Sequence, residues 1–88
     1  MKNKESVDRI IQVNNMNIGE NIARLRKELN FKQTDMVAKL QLKGLDISVY
    51  SFNRIEKGTQ NPTVSFLYAC CDILRCDMNT IFNFKKRV

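Results

Sequence analysis

Eighty-eight residues, 43% of them hydrophobic, suffice for one compact domain with its own core. Fifteen Lys and Arg against nine Asp and Glu leave a net charge of +6, which favours a polyanionic partner, nucleic acid before a membrane surface. With no histidine in the chain and no CxxC pair, a zinc site is not expected, and the commonest acid–base side chain is missing.

Residues 1–16 are polar and uneven, with an apolar patch at Val7, Ile10, Ile11 and Val13. This N-terminal arm can fray, form a turn of helix or dock on a partner. It contains no long apolar core, so neither a signal peptide nor a membrane span is expected, and a cytoplasmic home follows by default. Organisation begins at Asn17, where Asn-x-x-Glu has the form of a capping box with Glu20 reaching back. Ile18, Ile22, Leu25 and Leu29 recur at helical spacing and predict a first helix over 18–30.

A second short helix is expected from Gln33, with Met36, Val37 and Leu40 on one face. Gly44 can end it, and Asp46 and Ser48 can start the next. Leu42, Leu45 and Ile47 make this connection apolar enough that part of it should tuck under. The third helix, SVYSFNRIEKG, has an N-cap in Ser48 and a left-handed stop in Gly58. Phe52 and Ile55 share one of its faces. Val49, Tyr50, Asn53, Arg54 and Lys57 share the opposite one, which is better equipped than solvation requires.

Pro62 leads into a fourth helix capped by Thr63, with Val64, Leu67, Cys70, Cys71 and Leu74 as its buried stripe. A last helix follows Asp77 and presents Met78, Ile81 and Phe82; residues 85–88 form a basic tail. Three cysteines do not fit a closed disulfide framework; Cys70 and Cys71, on the apolar run FLYACCDIL, are expected to behave as small hydrophobes, with redox sensing as the alternative. The fold class is therefore an all-α bundle of five short helices. No carboxylate or lysine pair sits in a cleft-forming context, so neither an enzyme nor a cofactor is expected.

Two helices joined by a connection, the second bearing an exposed polar strip, have the plan of a helix-turn-helix reader. Asn can bond to adenine, Arg to guanine, and Val can pack on a thymine methyl.

The residues IGENIARLRKELNFKQTDMVAKL, SVYSFNRIEKGTQNPTVSFLYACCDIL and DMNTIF resemble the phage-repressor and Cro-like (XRE-type) helix-turn-helix family of bacterial regulators, from Ile18 to Phe82. LRKELNFKQ and RIEKGTQNPT are the most specific parts. The resemblance implies a DNA-binding domain over 17–84 and a transcriptional regulator, a repressor, that binds double-stranded DNA as a homodimer. Carried over by position, Gln33 and Ser48 touch phosphate, and Val49, Tyr50 and Arg54 read bases with Asn53 beside them. Lys57, Thr59, Gln60 and Asn61 follow the DNA backbone. Arg26 and Glu56 match a structural ion pair between the first and third helices. The connection from Leu40 to Ser48 is longer than the tight turn usual in the family. The alternative on this scaffold is an antitoxin or other interaction module, whose partner would be a toxin or another regulator.

Overall fold

The structure, a computed structural model, describes residues 18–82. The arm 1–16, the cap residue Asn17, Phe84 and the tail 85–88 lie outside the described residues. Within them are α1 (Ile18–Glu28), α2 (Gln33–Leu42), α3 (Val49–Lys57), α4 (Val64–Leu74) and α5 (Met78–Ile81). No strand occurs among the described residues.

Each helix buries the stripe its spacing dictates: Ile18 and Ile22 from α1, Met36, Val37 and Leu40 from α2, Phe52 and Ile55 from α3. From α4 and α5 come Phe66, Leu67, Ala69, Cys70, Leu74 and Ile81. The Phe52 and Phe66 rings lie 6.0 Å apart and tilted, which ties the third helix to the start of the fourth. α3 packs on α1 and α2, while α5 packs on α1 and α4. Asn21, buried on α1, donates its side-chain N–H to the Ile81 carbonyl at 2.8 Å and so joins the first helix to the last.

Four consecutive helices end in the same way. The N–H of the second or third residue past the helix returns to a carbonyl five positions back: Phe31 to Arg26, Leu45 to Leu40, Thr59 to Arg54 and Cys76 to Cys71, at 2.9–3.1 Å. The residue between is left-handed in every case: Asn30 (φ 62°), Gly44 (φ 96°), Gly58 (φ 82°) and Arg75 (φ 57°). This is the Schellman motif, which satisfies carbonyls that a helix end would otherwise strand.

That motif corrects one expectation. α1 stops at Glu28 rather than Asn30, because Asn30 turns left-handed, and Leu29 is rotated out to 41% exposure instead of extending the buried stripe. Part of the connection tucks under, as expected: Leu45 and Ile47 pack against the core, while Leu42 closes α2 on the solvent side at 88% exposure. In α4, Val64 and Cys71 are half-buried, and Phe66 and Ala69 take up the burial expected of them.

The connection 43–48 is tied down along its length. Gln41 donates from Nε2 to the Ile47 carbonyl at 3.0 Å, and Lys43 pairs with Asp72 on α4. The longer turn is thus an ordered spacer between α2 and α3.

Candidate nucleic-acid interface

Ser48 caps α3 by accepting the Ser51 N–H at 3.0 Å, which leaves its hydroxyl hydrogen available to an outside acceptor. Phe52, Ile55 and Glu56 anchor the inner face of the helix. Outward stand Val49 and Lys57, both exposed, Tyr50 at 69% exposure, and Asn53 and Arg54, half-buried. At 1.5 Å per residue the strip from Ser48 to Lys57 is about 13 Å long, roughly four base-pair steps.

A buried ion pair holds this helix to α1. Arg26 donates from Nε to Glu56 Oε2 at 2.7 Å and from Nη2 to Oε1 at 2.9 Å, and its Nη1 donates to the Phe31 carbonyl at 2.8 Å. Both charges are under a tenth exposed. Two-pronged geometry with further hydrogen bonds is what allows such a pair to offset its desolvation.

Gln33 extends the network to the outer face. Its Nε2 donates to Glu56 Oε1 at 2.9 Å and to Asn53 Oδ1 at 3.1 Å. Both hydrogens of that amide are therefore engaged within the protein. A phosphate at Gln33 would be met by the first-turn backbone N–H groups of α2, which have no acceptor within the helix. Asn53, accepting through Oδ1, is oriented to present its NH2 outward as a donor. Lys32, the exposed residue before Gln33, adds a cation at that helix start; its position in a polar stretch gave no sign of this.

Arg54 is held from two sides. Its guanidinium lies 5.5 Å from the centre of the Tyr50 ring, and Nη2 donates to the Thr59 carbonyl at 3.4 Å. Thr59 reciprocates from Oγ1 to the Arg54 carbonyl at 3.2 Å. The loop thus folds back beside Arg54, with Gln60 and Asn61 half-buried behind it and Pro62 buried as its closure. The fold brings together Gln33, Asn53, Glu56 and Arg26 in one network, and Tyr50, Arg54 and Thr59 in a second. Ser48 and Lys57 stand at opposite ends of α3.

The chemistry of the strip is that of hydrogen-bond donors and cations on a rigid helix, with no nucleophile–base pair. Among the described residues no group of three or more Cys, Asp or Glu is placed to hold a metal ion, and no helix is long and apolar enough to cross a membrane. The sequence model of the Cro/C1-type helix-turn-helix DNA-binding domain matches residues 21–87. No curated protein and no solved structure matches the chain significantly.

Proposed function

The chain belongs to the Cro/C1-type helix-turn-helix DNA-binding domain family, and from that premise we propose a sequence-specific transcriptional repressor that lays α3 in the major groove. The observation that carries this reading is the outer face of α3, where Val49, Tyr50, Asn53 and Arg54 stand on a helix whose inner face is fully packed. Arg54 reads guanine, Asn53 donates to a base-edge acceptor, and Val49 and Tyr50 make apolar contact with the groove. Ser48, Lys57, Thr59, Gln60 and Asn61, with the start of α2 at Gln33, follow the phosphates and set the register.

One such helix touches few base pairs, and each good pair supplies only about 1–3 kcal/mol of discrimination. Two chains related by a two-fold axis double the contact set and read a pseudo-palindrome with half-sites about 34 Å apart. The dimer surface in this reading is the C-terminal end, around the half-buried Phe82.

Selection of binding sites from random duplexes, followed by sedimentation of the complex, tests the proposal. An inverted repeat bound by two chains is expected. A site without inverted symmetry bound by one chain would end the dimer model. No enrichment at all, with tight binding to a single protein partner from the host, would favour the interaction-module reading.

A further inference from the structure

The fourth Schellman turn differs from the other three in what it holds. The motif brings the side chain of the residue that accepts the long return bond against that of the residue that donates it, ordinarily as an apolar contact. At the ends of α1, α2 and α3 these pairs are Arg26 with Phe31, Leu40 with Leu45, and Arg54 with Thr59. At the end of α4 they are Cys71 and Cys76, whose backbones are locked by an N–H···O=C bond of 3.0 Å. The two thiols lie within hydrogen-bonding reach of each other.

Both cysteines are half-buried, and both line one open surface depression with Tyr68, Asp72, Arg75 and Asp77. A small reagent in solvent therefore reaches either sulfur. Cys70, next in sequence, is fully buried in the core and turned away from this depression.

We propose that Cys71 and Cys76 form a dithiol site that closes to an intramolecular disulfide by exchange with a small disulfide in solution. A thiolate of the pair attacks one sulfur of the reagent, breaking its S–S bond and releasing one thiolate, which takes up a proton. The second protein thiolate then attacks the resulting mixed disulfide at the protein sulfur and releases the other half of the reagent. Two protein thiols are oxidised to one disulfide, and the reagent disulfide is reduced to two thiols.

The surroundings assign the order and the speed. Burial pushes the Cys71 thiol up to about 11, with Cys76 and the Asp77 carboxylate acting in the same direction. Burial and Asp77 also raise Cys76, but the hydrogen bond from Cys71 opposes them. Cys76 is therefore the attacking sulfur and Cys71 the resolving one. The other groups facing the depression are the Tyr68 phenol, the Arg75 guanidinium, and Asp72 in its pair with Lys43. With little thiolate at neutral pH, closure is slow and quickens as pH rises above about 7, unlike a fast peroxide sensor.

The test is equilibration of the full, reduced chain with oxidised glutathione at about pH 8, followed by intact mass and peptide mapping. The expected product is a single chain lighter by two hydrogens, with Cys71 and Cys76 in one bridge and Cys70 alkylated only after unfolding. Cys70→Ala should close as the wild type does, whereas Cys71→Ser should stop at the mixed disulfide on Cys76. Peptide mapping of the wild type is independent of how the variants fold. A chain that retains all three thiols under a large excess of reagent would overturn the proposal. So would a bridge that uses Cys70 or links two chains.

Discussion

Gly19 crosses so close to the last turn of α3 that a Cβ on it would stand 2.2 Å from the Ile55 carbonyl oxygen and 2.6 Å from that of Glu56. Both obstacles are backbone, so neither can swing aside. Alanine would gain up to about 1 kcal/mol in helix propensity, but forcing a core contact apart typically costs about 1–3 kcal/mol. The clash wins. Gly19→Ala should therefore destabilise the domain by roughly 1–3 kcal/mol in denaturant unfolding. A variant as stable as the wild type would mean that α1 and α3 do not approach this closely.

Arg26→Ala and Glu56→Ala each strand a buried charge, and each should cost about 3–5 kcal/mol. Both variants should lose DNA affinity only in proportion to the unfolded fraction. Joint replacement by Met and Leu should cost less than either single change, because no charge is left unpaired. Wild-type melting combined with lost DNA binding in either single variant would show that the pair acts at the interface rather than in the fold.

Arg75 carries a left-handed conformation on a side chain with a Cβ, at φ 57°. A left-handed L-residue costs roughly 1–2 kcal/mol that glycine avoids. Arg75→Gly is thus expected to stabilise by up to about 1 kcal/mol once the glycine's greater unfolded-state freedom is subtracted, and Gly58→Ala to destabilise by about 1 kcal/mol. Opposite signs in paired urea titrations would support the assignment of both turns. A stabilising Gly58→Ala would contradict it.

Salt and sequence dependence should separate two residues on α3. Arg54→Ala should relax preference at one base position in each half-site and cost about 1–3 kcal/mol on the best site alone. Lys57→Ala should weaken all duplexes alike and reduce the slope of log K against log salt by about 0.9. Fluorescence anisotropy at several salt concentrations, with the selected and a scrambled duplex, reads both effects. Interchanged behaviour would reverse the two roles.

Asp77 caps α5, where its Oδ1 accepts from the Thr80 N–H at 3.0 Å and from Thr80 Oγ1 at 2.9 Å. These bonds hold its carboxyl below the ordinary aspartate value of 3.8. Because the folded value is lowered, the contribution is complete above the unfolded value and is lost as pH falls through the folded one. The amides of α5 should therefore lose exchange protection below about pH 4. Asp77→Asn, which can still cap, should flatten that dependence. An unchanged acid profile in the variant would place the transition on other carboxylates.

Helix positions and stops were legible because they are written locally. Ser48, Thr63, Asp77, Gly44 and Gly58 each act within a few residues of themselves. What escaped depends on distant partners. Asn21 reads as an ordinary polar helix residue, since its acceptor at Ile81 lies sixty positions away. Gly19 reads as part of a cap because the backbone it must admit belongs to α3. The position of Gln33 points only to phosphate; its bonds to Glu56 and Asn53 exist only once α2 and α3 meet. Leu29 departs from its expected burial for a local reason, a helix end that falls two residues early.

The four repeated helix stops also bear on how the chain reaches this shape. Each stop is set by a return hydrogen bond spanning five positions and one left-handed residue, so it can form before any helix finds its neighbour. Directions are thereby restricted early, and the search left to the chain is the docking of short rods already cut to length. A domain whose contacts are so largely local should fold in microseconds to milliseconds. Replacing a glycine at one of these stops would then act on the entropy of the collapsing chain as well as on the finished structure.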